Sequence, residues 1–227
     1  MKKIIFYITG VIIVFLMFLT TRRNLQSGIS LILTVGVLFM LFMCYFYFEK
    51  NDMGTKEIAI IATLSAFSAA SRILFAPIPN VQPVTFLIAL TGFVFGSYEG
   101  LLVGSTSAFL SNIFIGQGPW TPWQMFSWGI IGVISGLWGK RGKEVSALKF
   151  SIVCFLFGFM FDWIMNLWSL VSFVGSVNLK SIISVYVAGI TFDILHGGSS
   201  FVFSIIFYES FLKIFKRYKR RLICNIN

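Results

Sequence analysis

The chain has 227 residues, of which 57% are hydrophobic and only 11% charged, with a mean hydropathy of +0.89. A soluble domain carries about 25% charged residues, so an ordinary water-soluble class is excluded. The net charge of +10 does not mark a nucleic-acid binder either, because lysines and arginines gather at the ends of apolar runs and not along one polar face.

Eight apolar segments follow one another: about Ile4–Thr20, Ile29–Phe48, Glu57–Ala76, Val84–Gly96, Tyr98–Ile115, Trp123–Leu137, Ala147–Val171 and Val185–Phe215. Runs of ~20 apolar residues match a hydrocarbon core of ~30 Å, which defines an all-α, polytopic membrane protein. The first run follows Met-Lys-Lys, is too long for a signal-peptide core and lacks a small-residue cleavage site, so it reads as a retained membrane helix. Val84–Gly96 is short for a span and must lie inside a bundle or borrow flanking residues. The last segment is long enough to contain an irregular or interfacial portion before its spanning part.

Lys140, Arg141, Lys143 and Lys149 surround the sixth connector, and Lys213, Lys216, Arg217, Lys219, Arg220 and Arg221 crowd the C-terminal end. The positive-inside rule makes both regions, and both termini, cytoplasmic. Alternation then places the connectors Pro77–Pro83 and Gly116–Pro122 outside; Arg22 and Arg23 also fall outside, against the rule. All five prolines of the chain, Pro77, Pro79, Pro83, Pro119 and Pro122, lie in these two connectors. Proline fixes φ and biases the preceding residue towards extended backbone, so both connectors are expected to be stiff.

Asn80, Gln82 and Thr85 follow the first proline run, and Gln117, Thr121 and Gln124 accompany Trp120 and Trp123 in the second. Neutral hydrogen-bonding groups among large rings suit a neutral, amide-rich or heterocyclic ligand. Trp120 and Trp123 equally fit an aromatic belt at headgroup level. Ionisable groups deep in apolar runs are costly and default to functional hypotheses; they are Arg72, Asp162, Asp193, His196 and Glu209. Asp193 and His196, three apart, share a helix face and can pair with each other or contact a ligand. Arg72 can snorkel to the interface or meet a ligand. Asn166 and Trp168 are further candidates.

Ala62, Ala66 and Ala70 recur every fourth residue and leave a flat face that a second helix can approach closely. Gly92, Gly96, Gly100 and Gly104 do the same, interrupted by a turn expected at Ser97–Gly100, and Gly129, Gly132, Gly136 and Gly139 add another small face. For the glycines, packing inside the bundle is the expected use. Cys44, Cys154 and Cys224 lie far apart without CxxC or Cys/His spacing, so neither a metal site nor a disulfide framework is expected. The single histidine and the lack of HExxH, GxSxG or Walker patterns leave no catalytic residues to assign and no catalytic cofactor to expect.

The stretch Glu57 to Arg217, carried by ASRILFAPIPNVQPVT, LTGFVFGSYEGLLVG, SNIFIGQGPWTPWQM and GITFDILHG, resembles the substrate-binding S components of energy-coupling-factor (ECF) transporters. Within them it is most similar to the cobalamin-associated branch. The resemblance implies a six-helix membrane core at 51–221, preceded by two extra transmembrane helices at 1–50 and followed by a short tail at 222–227. It implies capture of a vitamin on the outer face, cobalamin or a related corrinoid. It also implies docking on a transmembrane coupling protein bound to two cytoplasmic ATPases, with Ala62, Ala66 and Ala70 matching the family's partner-contact face. Arg72 would meet the cobalamin phosphodiester, and a His196–cobalt bond would need a free axial position. The alternatives are an S component for another micronutrient, a membrane enzyme using Asp193 and His196 on a lipid or cofactor, and a purely structural membrane subunit.

Overall fold

The computed structural model describes residues 26–49, 54–142, 145–174 and 177–223. These form seven helices and, among the described residues, no strand: α1 Gln26–Glu49, α2 Thr55–Phe75, α3 Val84–Phe95, α4 Ser97–Ile115, α5 Thr121–Gly139, α6 Ala147–Phe173 and α7 Leu179–Ile223. The protein is an all-α polytopic membrane protein. α2, α6 and most of α7 are each long and apolar enough to cross a hydrocarbon core. The expected segment Ile4–Thr20 and the exceptional Arg22 and Arg23 lie outside the described residues.

Helix ends follow local chemistry. Pro122 sits in the first turn of α5, where its missing N–H costs nothing. Ser146 caps α6 by accepting from Lys149 N at 3.5 Å. Gly96, at φ +142°, separates α3 from α4, a backbone that L side chains rarely adopt. The break is therefore this single residue and not the expected Ser97–Gly100 turn, which is the first turn of α4.

α3 is the centre of the bundle. Every residue from Val84 to Gly92 is buried. Its 12 residues extend only about 18 Å, so this helix does not cross the bilayer unaided. Around it Phe86, Phe150, Tyr208, Trp128 and Phe161 form the aromatic core, with Trp128 stacked on Phe161 at 4.2 Å and Phe150 on Tyr208 at 4.6 Å. The small faces work internally, as expected. A Cβ added at Gly100 would lie 2.6 Å from Gly132 O, and one at Gly158 2.7 Å from Gly197 Cα. These glycines let α4 approach α5, and α6 approach α7, backbone to backbone.

α7 differs from expectation. It begins at Leu179, six residues before the expected Val185, and runs 45 residues as one uninterrupted helix. At 1.5 Å per residue that is about 67 Å, roughly twice the hydrocarbon thickness. Continuous α-helix satisfies every interior backbone group, whereas an irregular stretch would have exposed them to lipid.

The two proline-bearing connectors share one end of the bundle, because Arg72 beside the first bonds Gln124 beside the second. The basic C-terminal part of α7 is at the opposite end, where Lys219 Nζ donates to Val94 O at 2.5 Å and Tyr208 donates to Val145 O at 2.9 Å. Lys140, Arg141 and Lys149 are exposed at that same end.

Gly132→Val should overpack the α4–α5 contact and cost about 3 kcal/mol, read as a fall in the detergent melting temperature. Gly198→Ala is the control: an added Cβ there meets nothing within 4 Å, and the melting temperature should hold or rise.

Candidate functional site beneath the two connectors

Arg72, in the last turn of α2, is 7% exposed and does not snorkel. Its Nη1 donates to Ser111 Oγ and Asn112 Oδ1, both at 2.6 Å, and its Nη2 donates to Gln124 Oε1 at 3.3 Å. The guanidinium lies 4.9 Å from the centre of the Trp128 ring, a cation–π arrangement. Among the described residues no carboxylate comes within 4 Å of it. The Nε–H and one Nη2–H have no partner among them either. This cation is held by neutral oxygens and one ring, with donors to spare.

The partners of Arg72 are tied to the second connector. Asn112 Nδ2 donates to Gln124 Oε1 at 2.8 Å and to Thr121 Oγ1 at 3.0 Å. Thr121 donates to Gln117 Oε1 at 2.9 Å, and Gly118 N donates to Thr121 Oγ1 at 3.2 Å. Gln117, Thr121, Gln124 and Arg72 thus meet in one network, as the sequence pattern suggests.

A second chain begins at Trp128. Its Nε1 donates to Thr85 Oγ1 at 3.0 Å, and Thr85 Oγ1 lies 2.7 Å from His196 Nε2. His196 Nδ1 lies 3.1 Å from Asp162 Oδ2. Indole can only donate and carboxylate only accept. The neutral ring therefore carries its proton on Nδ1 and accepts the Thr85 hydroxyl at Nε2. Asn80 Nδ2 reaches Asp162 Oδ1 at 3.4 Å, Oδ2 at 3.5 Å and Phe192 O at 3.2 Å. Asn80 is the one non-glycine residue at positive φ (53°) among those described, a region Asn tolerates.

Of the two readings of Asp193 and His196, the mutual pairing is not formed. Both side chains are buried on α7, but His196 turns to Asp162 and Thr85, while Asp193 accepts from Asn166 Nδ2 at 3.4 Å. A partner on a facing helix satisfies a buried group without bending the side chain along its own helix. Both nitrogens of His196 are engaged and the residue is 0% exposed, so the ring offers nothing to a cobalt ion. Thr85–His196–Asp162 has the connectivity of a nucleophile–base–acid triad, yet Thr85 is also 0% exposed and its oxygen already accepts from Trp128. No substrate reaches that oxygen in this arrangement.

Trp123 is 3% exposed and donates to Thr34 Oγ1 of α1 at 3.2 Å. Trp120 packs edge-on to Trp168 at 6.1 Å. Trp123 is thus a contact between helices and not a belt residue. Gln82 N donates to Ser199 Oγ at 3.1 Å, and its buried Oε1 has no partner among the described residues. Ser111, Asn112 and Trp128 were not singled out in the sequence. Ser111 and Asn112 close the apolar run before the second connector and Trp128 lies in the run after it, and of the three the carboxamide of Asn112 carries the strongest polar signal. A recess of about 640 Å³ lies elsewhere, between α6 and α7, lined by Phe155, Phe159, Met160, Trp163 and Tyr186. Its apolar lining does not include the polar network.

Ala62, Ala66 and Ala70 are all exposed on α2. They form a smooth strip on the outside of the bundle.

A helical membrane bundle with a buried polar site under one end has the form of a substrate-binding membrane subunit. Residues 52–213 match the family described as ECF-type riboflavin transporter, S component, and the chain belongs to that family. A UPF0397 protein of Aliivibrio salmonicida (strain LFI1238) is 25% identical over 173 residues, 72% of this chain and 78% of the relative. A UPF0397 protein of Vibrio atlanticus (strain LGP32) is 26% identical over 98 residues, and one of Aliivibrio fischeri (strain MJ11) 29% over 91 residues. Those two matches take in 41% and 38% of this chain and 53% and 49%, about half, of the relatives. No solved structure matches the chain.

Thr85→Val should leave Trp128 Nε1 and His196 without their shared partner and cost about 2 kcal/mol. Thr85→Ser, which keeps the hydroxyl, should restore most of the melting temperature.

Proposed function

We propose that this protein is the vitamin-capturing subunit of an ECF transporter and that it binds its ligand beneath the connectors Pro77–Pro83 and Gly116–Pro122. The observation that carries the reading is Arg72: a buried cation with, among the described residues, no carboxylate beside it and with donors unused by them. Burying a charge inside a membrane bundle is costly and is retained where it meets something. Gln124, Asn112 and Thr121 supply orientation.

Two ligands follow from different observations. The family description names riboflavin, whose acceptor-rich ring edge suits the unused donors of a guanidinium. Cobalamin, to which the sequence resemblance points, brings a phosphodiester for the uncompensated charge of Arg72 and amides for Gln124 and Asn112. Capture needs no catalytic residue or cofactor in this chain.

The transporter reading gives the exposed alanine strip a partner. Ala62, Ala66 and Ala70 form the face for the transmembrane coupling protein, which joins two cytoplasmic ATPases. The connectors then face outwards, and the exposed Lys140, Arg141, Lys213 and Arg217, with both termini, face the cytoplasm. Residues 51–221 form the six-helix core and 1–50 an accessory pair.

Purified protein should bind riboflavin, seen as flavin fluorescence quenching, or cyanocobalamin, seen by calorimetry, without any ATPase. Arg72→Ala should weaken binding by at least about tenfold, the scale of a lost charge-assisted bond. Absence of binding to both, with tight binding of another vitamin, would replace the ligand and keep the family. Separately, Ala66→Leu should abolish uptake in cells while the purified variant binds with unchanged affinity. Loss of binding in that variant would remove the partner face.

A further inference from the structure

The helix that precedes the six-helix core reaches the ligand site through one side chain. α1 packs on α5 and α6. Thr34, Val37, Leu41 and Tyr45 recur every three or four residues and make one face of it. Val37 and Leu41 are buried, whereas Val35, Leu38 and Phe42, off that face, are exposed. Each end of the face carries a polar tie. At the middle of α4, Ser105 Oγ already donates to Leu101 O at 2.8 Å, so it accepts from the Tyr45 hydroxyl at 2.8 Å, and Thr106 Oγ1 donates to Tyr45 Oη at 2.7 Å. Near the connectors, Thr34 Oγ1 accepts from Trp123 Nε1 at 3.2 Å. Trp123 stands in the first turn of α5, directly before Gln124, whose Oε1 accepts from Arg72 Nη2 and Asn112 Nδ2.

We infer that Thr34 is a positioning residue for the ligand site: through Trp123, α1 fixes the rotation of the first turn of α5 and with it the placement of Gln124. The inference rests on the binding site proposed above and gives neither Thr34 nor Trp123 a contact with ligand. Three features carry it. The opening residues of a helix lack intrahelical partners for their N–H groups, so the first turn of α5 is set largely by its side chains. Trp123 is 3% exposed and packs with Trp168 of α6, and its indole N–H can only donate, so that buried proton needs the acceptor that Thr34 provides. Consecutive helical residues are separated by about 100° around the axis, so a rotation that frees Trp123 turns Gln124 away from Arg72 by the same angle. The six-helix core is thus incomplete at this site without the helix before it.

The test uses the full chain in detergent. Thr34→Val keeps the shape of the side chain and removes the acceptor. Exchange of the Gln124 amide, which bonds Trp120 O at 3.0 Å, should quicken about threefold to tenfold, while exchange at Ile88 in α3 stays as in the parent. Affinity for riboflavin or cyanocobalamin, whichever the parent binds, should weaken by a similar factor. Thr34→Ser, which keeps the hydroxyl, should recover both. Tyr45→Phe separates position from stability. It removes the ties to α4 but leaves the Thr34 bond and the apolar face, so the melting temperature should fall while Gln124 exchange and affinity hold. Parent-like exchange or parent-like affinity in Thr34→Val, or equal losses in Tyr45→Phe, overturns the inference. Quickened exchange at Gln124 in Thr34→Val, with neither vitamin bound by the parent, would overturn the ligand reading alone.

Discussion

Arg72 is the constraint on which the connector end of this bundle depends. A guanidinium cannot shed its proton in a protein interior, so enclosing it obliges the neighbouring helices to supply oxygens. α4 supplies Ser111 and Asn112, and α5 supplies Gln124 and the Trp128 ring. Those side chains reach the cation only because α4 and α5 lie backbone to backbone at Gly100, Gly104, Gly129 and Gly132. The glycine contacts in the basic half of the bundle and the polar cluster in the connector half are thus two ends of one arrangement. Any side chain at the glycines would splay the helices and leave the cation with fewer acceptors.

The same logic explains why the polar network is made mostly of amides and hydroxyls. An acid beside Arg72 would neutralise it and would occupy donors that are free in this arrangement. Neutral acceptors hold the side chain in place at lower cost to its positive field. Asp162 is joined to Arg72 only through His196, Thr85 and Trp128, and not by a direct ion pair.

Much of this was legible in the sequence, and the parts that were not have a common cause. Helix positions followed from run length, and the burial of α3 from its being too short to span. The grouping of Gln117, Thr121 and Gln124 followed from polar residues clustering at the second connector, whereas Arg72, which can snorkel by position alone, is instead drawn into their network. What the sequence could not show was pairing between distant helices. Asp193 and His196 are neighbours by spacing, but spacing along one helix says nothing of Asp162, 34 residues earlier, which faces His196 across the α6–α7 contact. Trp128 and Ser111 read as ordinary members of apolar runs, because their role lies in what surrounds them. The unbroken α7 departs from expectation because a segment longer than one span suggested an irregular portion before the spanning part, whereas the helix runs on without a break and Gly197 lets α6 pack closely against it.

The two connectors differ in how they are secured, and that difference has a functional direction. The second is bound to its own helix ends through Gln117, Thr121 and Asn112, with Trp120 and Trp123 packed against Trp168 and α1. Its anchors are the 2.9 and 3.0 Å bonds of Thr121 and the buried ring of Trp123, so it behaves as part of the scaffold. The first is secured mainly by longer bonds to α6 and α7, with Pro77 and Pro79 exposed and Asn80 turned into a left-handed backbone. Its proline-stiffened backbone can move as a unit when those bonds open, because rigidity within the segment and weak attachment at its edge are compatible. The second connector, secured by the shorter side-chain bonds, is the one beside Gln124 and the ring under Arg72.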